Sequence, residues 1–331
     1  MTGGPALILG ASGQDGTLVA RQLRGDGVVV HGTGRRLADR MPDQWGPLGL
    51  ADGVHRHSVD LDDAAAVLTL IDHVRPDQIY CLSGQSSVGR SFAEPEATRR
   101  SHVAPMVNVA EAVKALRIDP HIMLAGSGEV FGETSADAPA TESSPMAPAS
   151  PPPSPYAAAK AEAIQRAQQY RDDSNVRISV AHLFGHESPL RRADFVFGKV
   201  IGAILNIRAG RIETLSLGRG DVVRDWGWAP DYADAMIRMA ARDDPVDLII
   251  ATGTSVSLQS AVAALFAAAG LDAADHVTFG DTAFARPTEA RTMYADPSAA
   301  RAVIDWKGST PFPGLATLLL RNGIGAVTPA A

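Results

Sequence analysis

The first half of the chain alternates short apolar runs with amphipathic stretches of helical period. The apolar runs include "ALILG", "GVVVHG", "QIYCLS" and "HIMLAG", and the helical stretches include Gln14 to Leu23 and Pro95 to Leu116. This βαβα succession predicts a parallel sheet with helices on both faces, whose ligand crevice lies beyond the carboxyl ends of the strands. We therefore expect an α/β fold of the Rossmann type, with a doubly wound parallel sheet.

The pattern loosens after "RISVAHLF". A helix is predicted near Phe195 to Ala209 and another over "SLQSAVAALFAAAG", with irregular segments between them. This pattern predicts a smaller, mixed α/β lobe across the crevice. We expect residues 1–183 to form the Rossmann domain, with parts of 221–253 returning to it, and residues 184–331 to form a substrate lobe. The segment "SADAPATESSPMAPASPPPSP" is rich in proline and serine, which predicts an exposed loop.

Composition narrows the classes of partner. The 331 residues are 45% hydrophobic, enough for a large core, and the formal net charge of −7 with no long basic run argues against nucleic acid or an anionic membrane. Cys81 is the single cysteine, so an intramolecular disulfide and a cysteine-rich zinc site are excluded. No apolar run reaches the roughly 18 residues of a membrane span. We expect a cytoplasmic protein without a resident metal.

"GASGQDG" places Gly10, Gly13 and Gly16 directly after the first predicted strand and at the start of a helix. Bare backbone there lets a pyrophosphate approach the amides and the positive end of the helix dipole. An ordinary tight turn is the alternative. The preceding strand and the following helix favour a dinucleotide site.

The second strand ends in basic residues. NAD sites commonly place an acid after this strand, but "VVVHGTGRR" ends in Arg35 and Arg36. Guanidinium groups bind a 2′-phosphate through charge-assisted hydrogen bonds, which favours NADP over NAD. Two solvated surface arginines are the alternative. Asp60 and Leu61, at the end of the third strand, are expected near the adenine.

"SPYAAAKAEA" puts Tyr156 and Lys160 four residues apart, on one face of a predicted helix. An ammonium beside a phenol lowers the pKa of the phenol, so Tyr156 is expected to exchange a proton with a substrate alcohol near neutral pH. Such a pair is common on helix surfaces. Its position after the fifth strand favours a site.

"AGSGEVFG" ends that fifth strand with small residues and a carboxylate. Ser127 is expected to hydrogen-bond the oxygen on which Tyr156 acts, while Gly126 and Gly128 are expected to leave room for a sugar ring. Glu129 is either a base or a carboxylate that caps the loop or forms an ion pair at the crevice rim.

A glycine turn, a serine and a tyrosine-lysine pair in this order resemble the extended short-chain dehydrogenase/reductase superfamily. Within it, the chain resembles the GDP-mannose 4,6-dehydratase family, nearly from end to end. The segments that carry the resemblance include "RPDQIYCLSGQSSVGRSFAEP", "GEVFGE", "LFGHESP", "RDWGWAPDYADAM" and "ARPTEA". The glutamine-aspartate pair after Gly13, "HESP" and "RPTE" are the most specific of them.

The resemblance implies three sets of residues. The catalytic set is Ser127, in place of the family's threonine, with Glu129, Tyr156 and Lys160. The cofactor set adds to Tyr156 and Lys160 the residues Gly10, Ala11, Ser12, Gly13, Gln14, Asp15, Gly16, Arg35, Arg36, Asp60, Leu61, Leu82, Ser83, Gln85, Ser86, His186 and Arg191. The substrate set is Ser87, Glu129, Gly185, Glu187, Lys199, Arg224, Arg286 and Glu289.

Several positions depart from the family pattern. Gly126 and Gly128 replace serines on either side of Ser127, and Ser87 stands where the family usually has histidine. Ala97 replaces an aromatic residue, and Gly185 replaces the asparagine before "HESP". The loop between Glu129 and Tyr156 is also longer, with the surplus in "APASPPP".

The implied reaction is NADP-dependent dehydration of GDP-mannose to GDP-4-keto-6-deoxymannose. The identity of the hexose and of the base stays open at this point. A GDP-sugar 4-ketoreductase or epimerase is the first alternative, because related reductases also place an acid after a glycine here. A non-catalytic NADP-binding protein is the second. The resemblance also implies a homodimer or homotetramer through the helices near Glu94 to Leu116 and Tyr156 to Asp172.

Overall fold

The computed structural model describes residues 4–146 and 154–321, so the surplus "APASPPP" lies outside the described residues. The strands are β1 (Ala6–Leu9), β2 (Val30–Gly34), β3 (Val54–Ser58), β4 (Gln78–Cys81), β5 (His121–Ala125), β6 (Ile178–Leu183), β7 (Gly185–Glu187), β8 (Leu215–Leu217), β9 (Val223–Trp228), β10 (Asp247–Ile250), β11 (Ser255–Ser257) and β12 (Val277–Phe279). The α-helices are α1 (Gln14–Gly25), α2 (Ala64–Val74), α3 (Val88–Ala93), α4 (Pro95–Leu116), α5 (Pro155–Ser174), α6 (Val196–Arg208), α7 (Ala229–Ala240), α8 (Leu258–Ala268), α9 (Ala273–His276), α10 (Ser298–Ile304) and α11 (Gly314–Arg321). Short 3₁₀ helices lie at Asp43–Trp45, Gly128–Phe131 and Thr282–Phe284.

The predicted doubly wound sheet is confirmed. Within the described ranges it has seven strands in the order β10-β6-β5-β4-β1-β2-β3, and every neighbouring pair is parallel. The chain winds outward from β1 in one direction and then from β4 in the other. The carboxyl ends of β1 and β4 therefore flank the crevice at which ligands bind in such sheets.

The sheet is covered on both faces. In β1, Ile8 packs in the cluster that contains Leu18 of α1 and Met236 of α7, whereas Leu7 packs in the cluster that contains Val109 of α4 and residues of α2 and α5. Successive strand residues point to opposite faces, so a fully apolar strand supplies both clusters. This explains why "ALIL" is completely buried.

The second lobe is mixed, as predicted. A three-stranded sheet has the order β11-β9-β7, and β8 pairs with β12, within the ranges that the structure describes. Edge strand β10, from residues 221–253, pairs in parallel with β6 of the main sheet. The division into domains at residue 183 stays a prediction.

The described part of the proline-rich segment is a loop, as expected, and residues 135–138 are exposed, but the loop docks on the protein at Ala140 and Glu142. Ala140 is buried, and its N–H donates to the Tyr294 carbonyl at 2.9 Å. Glu142 accepts a hydrogen bond from the Ile249 N–H at 2.8 Å. Backbone groups buried by this docking need partners, and residues 292–296 provide several of them.

Helices α4 and α5, which carry the predicted subunit contact, pack side by side and are joined by an ion pair of 2.6 Å between Arg99 and Glu162. The homodimer or homotetramer stays a prediction. No helix within residues 4–146 or 154–321 combines the length and apolar character that crossing a bilayer requires.

Candidate active site

A cleft of about 640 Å³ opens at the carboxyl ends of β4, β5 and β6, beneath the second lobe. It brings together all of the predicted catalytic and substrate residues and part of the cofactor set. The predicted residues that line it are Asp15, Leu82, Ser83, Ser86, Ser87, Ser127, Glu129, Tyr156, Lys160, Gly185, His186, Glu187, Arg191, Lys199, Arg224, Arg286 and Glu289.

The glycine turn lies just outside the cleft, between β1 and α1. Gly10 has φ of +86°, and a Cβ on it would lie 2.9 Å from the Ser83 Cα. A Cβ on Gly16 would lie 2.3 Å from the Gly10 carbonyl oxygen. Gly13 is the N-cap of α1 and offers no side-chain cap, which leaves first-turn amides for a ligand. The turn therefore fits a pyrophosphate.

The residues predicted to bind the adenosine lie at the same edge of the sheet. Arg35 and Arg36 directly follow the pairing segment of β2, are exposed, and form no ion pair within the described residues. Asp60 is exposed after β3, and the Leu61 carbonyl accepts a hydrogen bond from Asn108 at 2.8 Å. These positions leave both guanidinium groups accessible to a ligand phosphate.

The side chain of Gln85, a predicted cofactor residue, turns into the protein and does not line the cleft. Its Nε2 donates to the Ser87 carbonyl at 2.9 Å and to Thr98 Oγ1 at 3.2 Å. The side chain therefore supports the loop after β4, which carries Ser86 and Ser87 into the cleft.

The start of α5 fixes the tyrosine-lysine pair. Ser154 caps the helix by accepting a hydrogen bond from the Ala157 N–H at 3.0 Å, and Pro155 occupies the first turn. One turn later, Lys160 Nζ donates to the Ala125 carbonyl at 2.7 Å, at the end of β5. The same nitrogen lies 5.9 Å from the centroid of the Tyr156 ring. Helix α5 is thus anchored to the strand that carries Ser127.

The expectation that Lys160 lowers the pKa of Tyr156 is wrong for the protein alone. Burial raises the pKa of Tyr156 to about 12, and interactions with Ser127 and Arg191 oppose this rise only in part. Burial also lowers the pKa of Lys160 to about 8. A low-polarity environment disfavours both the phenolate and the ammonium. Tyr156 is therefore a protonated phenol at neutral pH.

Ser127 and Glu129 are presented by the 3₁₀ helix at Gly128–Phe131. The Ser127 hydroxyl accepts a hydrogen bond from the Glu129 N–H at 3.2 Å and caps this turn. The Glu129 carboxylate lines the cleft beside Arg224, whose pKa is lowered by burial while Glu129 opposes the shift. One short turn therefore places a hydroxyl and a carboxylate at the same wall.

The flanking glycines do not leave open room for a sugar, contrary to the expectation. A Cβ on Gly128 would lie 2.8 Å from the Phe184 ring, and one on Gly126 would lie 2.9 Å from the Ala181 carbonyl oxygen. The space that serine side chains would take is filled by β6 and by Phe184. The glycines allow close packing of β5 against β6.

Several predicted cofactor residues bond to one another across the cleft. His186 Nε2 lies 3.0 Å from Asp15 Oδ1, Gln14 Nε2 donates to the His186 carbonyl at 3.2 Å, and Ser188 donates to Gln14 Oε1 at 2.8 Å. Burial alone would raise the pKa of Asp15, but His186, Arg191 and Gln14 hold it well below its usual range. We call these contacts the α1–β7 clamp.

Glu187 and Arg191 form a second pair at the same wall. Arg191 Nε donates to Glu187 Oε2 at 2.8 Å, and the guanidinium also donates to the His186 carbonyl. Both side chains are largely buried, so the pair extends the clamp toward the substrate set.

The far end of the cleft is positively charged. Arg224 donates to the Ala290 carbonyl at 2.7 Å, and Arg286 lies 2.9 Å from Glu289 Oε1. Lys199 Nζ lies 4.4 Å from the centroid of the Phe284 ring. Guanidinium and ammonium groups gathered here suit a diphosphate.

Sequence reasoning missed two buried residues that shape the site. His102 of α4 packs edge to face on Tyr156 at 5.4 Å and bonds the Gln85 carbonyl at 2.9 Å. Asp225 accepts hydrogen bonds from three backbone N–H groups at Thr252, Gly253 and Thr254, and burial raises its pKa to about 6. The signal for His102 is a histidine on the apolar face of a helix, whereas Asp225 carried none.

Among the residues placed by the structure, no three His, Cys, Asp or Glu side chains are grouped so as to hold a metal ion.

Comparison with known proteins shows that the sequence of this chain matches one protein family over most of its length. The model of the family described as GDP-mannose 4,6 dehydratase matches residues 7–318. GDP-mannose 4,6 dehydratase 1 of Arabidopsis thaliana is 33% identical over 325 residues, which cover 95% of this chain and 88% of the relative.

Solved structures share the fold at lower identity. UDP-glucose 4-epimerase of Thermus thermophilus, in complex with NAD, superposes with a TM-score of 0.82 at 20% identity, covering 98% of this chain and 100% of that chain. RMD from Pseudomonas aeruginosa, complexed with NADPH, gives a TM-score of 0.77 at 21% identity, covering 96% and 98% respectively. These likenesses confirm the Rossmann-type architecture.

Replacing Asp15 with Asn should weaken the α1–β7 clamp. The amide keeps the shape but not the charge opposite His186 and Arg191, so we expect a loss of about 1–3 kcal/mol of unfolding free energy at pH 7. Because the pKa of Asp15 is depressed in the folded state, its contribution is complete above the unfolded value of 3.8 and fades as pH falls below it. Urea unfolding at pH 7 and pH 3 measures both effects. The exposed Asp39→Asn is the control, and equal midpoints for Asp15→Asn and wild type at pH 7 would refute the clamp.

Proposed function

The chain belongs to the GDP-mannose 4,6-dehydratase family, a family of hydro-lyases, and from that premise we propose that it converts GDP-mannose to GDP-4-keto-6-deoxymannose and water, with NADP as its cofactor. The observation that carries the proposal is the single cleft shared by Tyr156, Ser127 and Glu129, with cationic side chains at its far end. Oxidation at C4 needs a group that takes the proton of the C4 hydroxyl. Elimination needs a second base for the C5 proton, and a carboxylate can serve as that base.

The residues of the dinucleotide turn fit NADP. Side chains at Gly10 and Gly16 would collide with backbone, so the turn tolerates only bare backbone at these positions, as close approach of a pyrophosphate demands. The exposed Arg35 and Arg36 support a 2′-phosphate contact. When bound, NADP⁺ would accept hydride from C4 of the hexose and return it to C6.

In this proposal Tyr156 first loses its own proton to solvent, and the phenolate then accepts the proton of the C4 hydroxyl. Its pKa of about 12 means that positive charge must favour the phenolate, and Arg191 already supplies part of that charge. Ser127 holds the C4 oxygen by a hydrogen bond. Lys160, anchored to Ala125, keeps the first turn of α5 in place.

Glu129 acts on C5. The C4 ketone makes the C5 hydrogen acidic, so the carboxylate can take it as a proton while the C6 hydroxyl leaves. The Glu129 carboxyl returns that proton to the departing hydroxyl, and the group lost is water. C5 is later reprotonated from solvent. Because the hydride would return to C6, the cofactor would undergo no net change.

The test is incubation of the protein with GDP-mannose in deuterated water, without reduced cofactor. We expect a product that has lost one water, seen by mass spectrometry, and that carries deuterium at C5, seen by NMR. An unchanged sugar nucleotide, together with stoichiometric NADPH consumption on a 4-keto sugar, would instead make the protein a reductase. No turnover on any sugar nucleotide with NADP still bound would indicate a non-catalytic binding protein.

Replacing Glu129 with Gln should stop dehydration without unfolding the protein. The amide cannot accept the C5 proton, and loss of a general base lowers rates by at least about 100-fold. NADP affinity should stay within about twofold of wild type, because the carboxylate lies on the substrate side of the cleft. Glu133→Gln, an exposed substitution four residues along, is the matched control. A fully active Glu129→Gln would refute the assignment of Glu129 as the base that takes the C5 proton.

Replacing Arg35 and Arg36 together with Ala should change the cofactor preference. Loss of charge-assisted bonds to the 2′-phosphate should weaken NADP binding by about tenfold or more, while NAD binding changes little. Fluorescence titration with both dinucleotides measures this, and Arg40→Ala, on the same exposed segment, is the control. Equal losses for NADP and NAD would mean that the arginines do not read the phosphate.

A further inference from the structure

Gly185 and Trp226 lie opposite each other in the parallel pair of β7 and β9. A Cβ on Gly185 would lie 2.4 Å from Trp226 Cδ1 and 2.9 Å from Trp226 Nε1. The φ angle of Gly185 is outside the left-handed region, so the backbone does not demand glycine there. The Trp226 indole and the Asp225 carbonyl oxygen, which would lie 2.7 Å from that Cβ, together occupy the volume that a side chain at position 185 would take.

The indole of Trp226 lines the cleft, with its Nε1 edge against Gly185. Trp226 is only 8% exposed, and within residues 4–146 and 154–321 its Nε1 has no hydrogen-bond partner, yet this atom is not among the polar atoms sealed from solvent. Trp226 and Gly185 both line the cleft. By contrast, Trp45 donates to Thr17 at 3.2 Å and Trp306 donates to the Asp231 carbonyl at 3.1 Å. An N–H of this kind, which no group of the described residues accepts, is open to an acceptor from a ligand or from solvent in the cleft.

Aromatic packing fixes the orientation of that donor. The Phe197 ring meets the indole edge to face at 5.0 Å, and the Phe312 ring does so at 6.2 Å. Both phenylalanines are buried. The N–H is therefore preorganised, and binding a ligand there requires little ordering of the side chain.

The position of Trp226 along β9 indicates which part of the ligand the indole would contact. Alternate residues of a strand share a face, so Arg224 and Trp226 project to the same side about 6.6 Å apart along the strand. If Arg224 binds the diphosphate and Glu129 acts at C5, as the proposed function has it, the indole would lie on the hexose side of Arg224 in the same cleft. An indole N–H donates but cannot accept, so its partner must be an acceptor oxygen.

We infer that the Trp226 indole N–H is a substrate-positioning group that donates to a hexose oxygen, in place of the side chain that Gly185 lacks. This inference rests on the proposed function, because it takes the ligand to be a sugar nucleotide. It makes the Gly185 and Trp226 pair a determinant of which sugar the cleft accepts.

Trp226→Phe removes the N–H and keeps an aromatic ring. We expect the Kd for GDP-mannose, measured by calorimetry, to rise about 5- to 10-fold and KM to rise with it, while kcat changes little. The Kd for GDP, which has no hexose, should stay unchanged. Trp306→Phe, whose N–H bonds inside the protein, is the control and should bind both ligands like wild type. A variant that binds GDP-mannose like wild type, or that loses GDP affinity equally, overturns the inference.

A measurement on the unaltered protein covers the case in which Trp226→Phe does not fold. In protein labelled with ¹⁵N on the indole nitrogens of its 4 tryptophans, GDP-mannose should shift one N–H resonance downfield, and GDP should not. The shifted resonance should be the one most broadened by a soluble paramagnetic agent in the free protein. An unmoved resonance overturns the inference.

The two proposals fail differently. Wild-type protein that neither binds nor dehydrates GDP-mannose refutes the proposed function, and the inference falls with it. Wild-type protein that does both, while Trp226→Phe behaves identically, refutes the role of Trp226 alone.

Discussion

The contact between Asp15 and His186 is the interaction on which the shape of the cleft depends. It joins the first turn of α1 to β7, residues that are 171 positions apart in the sequence, and Gln14 and Ser188 reinforce it. Because the half-buried aspartate carboxylate lies among positive and polar partners, it stays ionised and the contact keeps its strength. The wall that carries Glu187 and Arg191 is thereby held over the ends of β1 and β4. The residues that the sequence predicts as cofactor ligands therefore also hold one another in place by hydrogen bonds.

Burial governs the chemistry of the catalytic pair more than proximity does. Burial shifts the pKa of both Tyr156 and Lys160 toward the uncharged form, since each lies in surroundings that poorly solvate an ion. The pKa values of the phenol and the amine, about 12 and about 8, therefore lie further apart than they would in water. Lys160, with a pKa of about 8, is still mostly protonated at pH 7, whereas the protein alone keeps Tyr156 as a neutral hydrogen-bond donor. Lys160 contributes here by fixing α5 to β5.

Local pattern and motif order predicted the sheet, the helix over Pro95–Leu116 and the identity of the cleft residues, because each is encoded within one short segment. Features that depend on through-space neighbours could not be predicted. The glycine at 128 is explained by the Phe184 ring, the glycine at 185 by the Trp226 indole, and the docking of Ala140 by residues beyond 290. The pKa of Tyr156 belongs to the same class, since burial is a property of the whole fold. Gln85 illustrates the limit of motif transfer, because its side chain faces Thr98 instead of the cleft.

The return of β10 to the sheet has a consequence for how the chain is made. Strand β6, "ISVAHL", is buried along its whole length, and one of its edges is completed only when Asp247–Ile250 arrives in register. During synthesis, an apolar edge therefore remains open while more than sixty residues of the second lobe emerge from the ribosome. Unpaired apolar edges recruit other chains. During this stage of synthesis, one edge of β6 therefore has no partner strand and is open to pairing with another chain.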